Sequence, residues 1–140
     1  MSVPINIFIE QIRPELTWRL RKEVLYPDEP LYAMEMEEDN QGLHFGAFTN
    51  EQLVGIISLF QNRNDFQFRK FAISPALQNQ GIGGLMLQHV IDLARRQGGK
   101  RLWCNARLSA VQFYQKAGFR TTGNTFTRNG IAYEIFEIEL

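Results

Sequence analysis

Cysteine is almost absent from this chain. Cys104 is the one cysteine in 140 residues, so no internal disulfide can form, which suits a reducing compartment. Histidine is nearly as scarce: His44 and His89 stand at no ligand spacing from each other or from Cys104, so no metal site is expected. No apolar run approaches the roughly 20 residues that span a bilayer, and the start MSVPINIFIEQ lacks the basic-then-apolar order of a secretory signal. Residues 1–140 therefore read as one cytoplasmic domain, of ordinary globular composition, with no membrane partner.

Positive charge is missing from a long window. Between Glu23 and Asn62 there is no lysine or arginine, although the net charge of the whole chain is zero. Residues 1–65 carry 11 acids against 5 bases, residues 66–133 carry 10 bases against 1 acid, and the last seven residues add 3 acids. A neutral chain divided this way suits an anion on one half and a cation on the other, or else two solvated faces. The basic residues of 95–101 have no interleaved aromatic platform, so nucleic acid is not an expected partner. Arg95 and Arg96 instead complement the end of a helix.

The hydrophobic pattern then sets out the elements. INIFIEQI reads as a first strand over 5–9. Pro14 opens a helix whose apolar side is Leu16, Leu20 and Val24, with Arg19, Arg21, Lys22 and Glu23 on the other side. YPDEPLYAMEMEEDN, with two prolines and six acids, reads as a loop with room for one short helical turn. LHFGAF and QLVGIISLF form a hairpin around TNE, and DFQFRKFAI is the next strand, closed by Ser74-Pro75. A helix over about 81–97 carries Ile82, Leu85, Met86, Val90 and Leu93 and stops at Gly98-Gly99. RLWCNA is a short strand. Ser109 and Gln112 fit a capping box that opens a short helix, and a last hairpin turns at Asn129-Gly130. The order β-α-(loop)-β-β-β-α-β-α-β-β predicts a mixed α/β domain containing one βαβ unit.

Three glycines in four positions, within SPALQNQGIGGLML (74–87), sit where a strand hands over to a helix. A helix start presents unpaired N–H groups and partial positive charge, and glycine lets an anion reach them. A tight turn with no ligand would use the same residues. The stretch lacks the G-K-[ST] of a P-loop, and position 86 is Met where a dinucleotide fingerprint needs glycine.

Two segments in series resemble the GNAT superfamily of N-acetyltransferases. The first is a strand end, Phe71-Ala72-Ile73-Ser74-Pro75, followed by Gln78-Asn79-Gln80-Gly81-Ile82-Gly83. The second, about thirty residues on, runs from Ala110 through Phe119 in AVQFYQKAGF. The resemblance is sharp over 66–120 and extends coarsely, through strand order, over the whole chain. It implies a single-domain GNAT fold with acetyl-CoA as co-substrate, bound where two parallel strands part. Backbone groups of Phe71, Ala72 and Ile73 would pair with the pantetheine arm. Amides of Gln78, Asn79, Gln80, Gly81, Ile82, Gly83 and Gly84 would take the pyrophosphate. The +9 half of the chain is also this half.

Tyr114 matches the family's tyrosine. A phenol with an ordinary pKa near 10 can supply the proton that a departing thiolate needs; a core aromatic beside Phe113 and Phe119 is the other reading. The chain departs from the pattern twice. Where the family often has a cofactor-holding Asn, seven residues before this tyrosine, Arg107 stands, with Asn105 two residues earlier, and both are candidates. Where some members have a general-base Glu there is Gln67, so the base is unassigned. Cys104 reads as a packed small residue, His89 as structural, and Glu137 and Glu139 as a solvated strand face. The expected reaction is acetyl transfer from acetyl-CoA to a primary amine, on a small molecule or a peptide, by direct attack in a ternary complex. The alternative is an acyl-CoA-binding sensor of the same fold without turnover. Oligomeric state is not legible, a homodimer being one option. Asp28, Glu29, Glu35, Glu37, Glu38 and Asp39, interleaved with Tyr26, Tyr32, Met34 and Met36, point to a cationic acceptor.

Overall fold

Period-two alternation produces seven strands in the computed structural model, which describes residues 6–140: β1 (Phe8–Ile12), β2 (Leu43–Thr49), β3 (Gln52–Asn62), β4 (Asp65–Ile73), β5 (Arg101–Arg107), β6 (Arg120–Arg128) and β7 (Ile131–Glu139). They form one mixed sheet in the order β1-β2-β3-β4-β5-β7-β6. Every neighbouring pair is antiparallel except β4 and β5, which the helix α2 (Ile82–Arg96) joins as a βαβ unit. The two predicted hairpin turns are present. Asn50 and Glu51 sit at φ 49° and 63°, and Asn129 and Gly130 at 52° and 76°, the left-handed pairs a two-residue hairpin loop requires.

The sheet is covered on both faces. On one side α2 and the short α3 (Val111–Lys116) bury a core that includes Phe45, Ile57, Phe66, Phe68, Met86, Val90, Leu102 and Phe136. On the other, Leu20, Ile56 and Ala72 pack with Val24 and Leu25. A fully buried leucine or isoleucine of this kind contributes about 1.5–3 kcal/mol. Among the described residues no helix is long and apolar enough to cross a membrane.

Two irregularities shape the middle of the sheet. Ile56 pairs with Ala72 and Ser58 with Arg69, so two steps along β3 oppose three along β4. The surplus is a bulge at Lys70, whose φ is 54°. Further, β4 pairs with β5 only through Asp65–Arg101, Phe66–Leu102 and Gln67–Trp103. Beyond Gln67 the two strands part, although both continue, one to Ile73 and the other to Arg107.

Several expectations need correction. The first strand is Phe8–Ile12 rather than 5–9, and Ile5 lies outside the described residues. The segment after Pro14 is an irregular helix, a 3-10 turn (Pro14–Thr17), one α-turn (α1, Trp18–Leu20) and a π-turn (Arg21–Leu25). Its buried side is Thr17, Leu20 and Arg21, while Leu16 is exposed. Leu85 is also exposed, because the buried stripe of α2 runs through Ile82, Met86, Leu87, Val90, Ile91 and Ala94. Ser109 caps nothing: a 3-10 turn (Leu108–Ala110) precedes α3, whose N-cap is Ala110. Glu137 is no solvated carboxylate, since it accepts from Arg101 Nε at 2.6 Å.

Candidate active site

The parting of β4 and β5 leaves an open slot in the sheet, and the glycine turn lies beside it. After β4, Ser74 N–H donates to Val54 O at 2.7 Å and a 3-10 turn (Pro75–Leu77) follows. Asn79 (φ 62°) and Gly81 (φ 86°) then turn the chain into α2 through left-handed conformations. Gly81 is the N-cap, where a side chain would be strained. The first intrahelical bond runs from Leu85 N–H to Gly81 O at 3.2 Å, which leaves the N–H groups of Ile82, Gly83 and Gly84 for an external acceptor. Gln78 serves the turn itself, its Nε2 donating to Ile73 O at 2.9 Å.

The glycines differ in what surrounds them. A Cβ on Gly84 would meet nothing within 4 Å, whereas one on Gly83 would touch Phe113 at 3.4 Å and Phe71 at 3.5 Å. Phe71 and Phe113, 6.1 Å apart between ring centroids, thus close over Gly83, so it is Gly84 that faces open space. A valine at Gly84 is expected to abolish most of the thermal stabilisation that acetyl-CoA gives, while leaving the melting temperature of the free protein near that of wild type. Thermal-shift titration checks this, and equal stabilisation of the two proteins would contradict it.

Tyr114 of α3 is 9% exposed and packs in the core under α2, against Phe68, a β4 residue past the last β4–β5 pair. Its ring lies 5.9 Å from Phe68 of β4, 5.8 Å from Phe119 and 6.4 Å from Phe136 of β7. Burial, with the neighbouring Cys104 of β5, pushes the phenol above its ordinary value. Burial alone pushes the Cys104 thiol up to about 12. Neither group loses its proton at neutral pH, so Cys104 is no nucleophile and Tyr114 can only donate. His89, whose pKa is lowered by burial and then by Arg96, packs edge-on against Phe45 at 4.9 Å.

The structure separates other residues that the sequence grouped together. Cys104 and Ala106 are buried in the core beneath α2, so alternation turns Asn105 and Arg107 to the opposite face, where both are exposed. Gln67 and Arg69 share that opposite face, and β4 offers no carboxylate beyond Asp65, which accepts from Trp103 Nε1 at 3.1 Å.

A buried polar network escaped the sequence reading. Arg21, fully buried, donates Nη1 and Nη2 to the two oxygens of Asp39 at 2.9 Å each, Nη1 to Met34 O at 2.9 Å and Nη2 to Ser58 Oγ at 3.1 Å. His44 bridges Ser58 Oγ at 2.7 Å and Asp39 O at 2.7 Å; a carbonyl only accepts, so Nε2 carries the donated proton. The network moors the acidic segment to the sheet. Its one trace in the sequence is Ser58, a lone hydroxyl inside the apolar run LVGIISLF that needed a partner.

Two parallel strands part beside a helix N-terminus whose first N–H groups have no partner within the helix, a layout that fits an acyl-group transferase. The chain belongs to the acetyltransferase (GNAT) domain family, which it matches over residues 10–140. It is 25% identical over 136 residues to the Bacillus subtilis (strain 168) protein described as uncharacterized N-acetyltransferase YitI, with 91% of each chain covered. Over 61 residues it is 36% identical to ribosomal protein bS18-alanine N-acetyltransferase of Escherichia coli, covering 41% of this chain and 40% of that one. A GNAT family acetyltransferase from Elizabethkingia anophelis, solved with acetyl-CoA bound, superposes with a TM-score of 0.79 at 23% identity, covering 98% of this chain and 100% of that one.

Proposed function

We propose that the protein transfers the acetyl group of acetyl-CoA to a primary amine by direct attack in a ternary complex, and that the acceptor carries a second positive charge. The observation that supports the chemistry is Tyr114, a protonated phenol packed against Phe68 on the part of β4 that has left β5. The amine nitrogen attacks the acetyl carbon, the C–S bond breaks, and the departing sulfur takes the Tyr114 proton. The turn from Gln78 to Gly84 takes the pyrophosphate on the N–H groups that α2 leaves unpaired, and the free edge of Phe71, Ala72 and Ile73 receives the pantetheine arm.

The acceptor reading rests on the acidic segment. Asp39 is committed to Arg21 and Glu38 to Arg69, but Asp28, Glu29, Glu35 and Glu37 remain exposed. Glu15, Glu35 and Glu37, with Trp18 and Met36, line a shallow cavity of about 240 Å³, suited to an alkylammonium stem and head. Met34 is buried and takes no part, whereas Tyr32 is 81% exposed. The test is a panel of spermidine, a lysine-rich peptide, a peptide with a free N-terminal alanine and neutral amines, assayed by thiol release at low and high salt. Cationic acceptors should show the higher kcat/KM and lose it as salt screens the acids. A preference for neutral acceptors, or no effect of salt, would remove the charge argument. Binding of acetyl-CoA without turnover on any amine would favour the sensor reading.

A further inference from the structure

The acetyl-transfer reading leaves the acceptor's proton without a taker, since β4 holds Gln67 where a carboxylate base was expected. Besides Asp65 at its start, which is held by Trp103 and Arg101, the charged residues β4 brings to that face are Arg69 and Lys70. Arg69 is compensated, its Nη1 donating to Glu38 at 3.3 Å. Lys70 forms no salt bridge among the described residues; its ammonium donates to the Tyr26 hydroxyl and lies 4.4 Å from the centre of the Tyr26 ring. It is also the surplus residue of the bulge, held at φ 54°, a conformation that glycine would adopt at less cost. The bulge thus sets a cation on the part of β4 that β5 leaves free, on the face opposite α2 and Tyr114.

We propose that Lys70 does the work of the missing base: as a cation with no carboxylate partner among the described residues, beside the acceptor's path, it disfavours the ammonium form and admits the acceptor as free amine, the proton going to water. The inference rests on the amine-acceptor reading above. The protons balance without a carboxylate. The ammonium gives one proton to water, and the lone pair attacks the acetyl carbon. The C–S bonding pair leaves on sulfur and takes the Tyr114 proton. The new amide nitrogen releases its surplus proton to solvent, and solvent reprotonates Tyr114. The two charge regions together also orient the acceptor, its remote cation toward the acids and its reacting nitrogen toward Lys70.

Other charged or titratable groups surround this face, some paired and some exposed. Glu23 is paired with Arg19, Lys22 donates to Pro27 O, and Asp39 is paired with Arg21 beneath the surface. Asp28 and Glu29 follow Tyr26 as exposed residues, and Arg107 shares the sheet face from β5. Glu38 is paired with Arg69 as described.

The experiment is the pH dependence of kcat at saturating acceptor and acetyl-CoA, which reports ionisations in the bound complex, from pH 5.5 to 10, with a peptide bearing a free N-terminal alanine and with spermidine. A peptide α-amine ordinarily ionises at about 7.7–8.0. In wild type the acidic limb for each probe should lie about one pH unit below that amine's own ionisation, the size of shift a nearby like charge imposes at a partly solvated site. For Lys70→Met the limb should return to the free amine's value. With the alanine peptide that is about a tenfold loss near pH 6.5 which vanishes by pH 9.5. Lys70→Gly, which suits the bulge backbone, should behave like Lys70→Met, and Lys70→Arg like wild type. The KM for acetyl-CoA should hold throughout. A loss that is the same at every pH marks a merely structural lysine and overturns the proposal, as does a limb at the free amine's value in wild type. Those results leave the amine-acceptor reading standing. No acetylation of any panel amine even at pH 10 overturns both.

Discussion

Phenylalanine in place of Tyr114 is expected to lower kcat about 100-fold, near the lower end of what general acid catalysis contributes, with the KM for acetyl-CoA and the melting temperature unchanged. The substitution removes one oxygen and keeps the ring against Phe68, Phe119 and Phe136, so packing is conserved. Burial raises the phenol's pKa, with Cys104 adding to the effect, so the hydroxyl is protonated across the working pH range. No phenolate limb should appear in the wild-type pH profile. The lower end of the range is expected because a thiolate leaves fairly well unaided. Single-turnover kinetics check the result: an unchanged chemical step in Tyr114→Phe would take the residue out of the reaction and leave it a core aromatic.

The second large effect concerns stability. Arg21→Met should destabilise the protein by about 3–5 kcal/mol, the usual cost of stripping one partner from a buried ion pair. The Asp39 carboxylate, 4% exposed, would keep only the Met36 N–H at 3.0 Å, and Ser58 would lose a donor. The double variant Arg21→Met with Asp39→Leu should recover most of the loss, because no charge is then left buried alone. Urea unfolding of wild type and both variants measures the difference. Equal midpoints for wild type and Arg21→Met would show that the pair contributes nothing.

The same pair has a pH signature. Burial pushes the Asp39 carboxyl up, but the hydrogen bonds from Arg21 and Met36 outweigh it, with the charges of Arg21 and His44, and the folded pKa lies below the ordinary 3.8. A carboxylate depressed in the folded state adds stability above its unfolded value, and that stability is lost as pH falls through the folded value. Wild type should therefore lose stability below pH 3.8 in a step that the double variant lacks.

What the sequence determined by itself is what depends on neighbours a few residues apart. Alternation places the strands, and the three- and four-residue spacing of Ile82, Met86, Leu87, Val90, Ile91 and Ala94 makes α2. Asn129-Gly130 and the glycines at 81–84 mark turns whose backbone conformations are local properties. The family pattern in 71–83 and 110–119 was legible for the same reason, since each half is a short run of fixed spacing. Tertiary structure decided the rest. Arg21 stands between Leu20 and Lys22 in a run of charges, and nothing in that run tells it from Arg19. Its burial depends on Asp39, 18 residues on, and Ser58, 37 residues on. The bulge at Lys70 exists only in the register of β4 against β3, and Gly83 is closed off only because Phe71 and Phe113 meet over it. Asn105 and Arg107 take the opposite face of β5 because Cys104 and Ala106 are buried beneath α2. Such placements follow from which distant surfaces exclude water together, and a buried charge or a strand register is fixed only when its partner, many residues away, is in place.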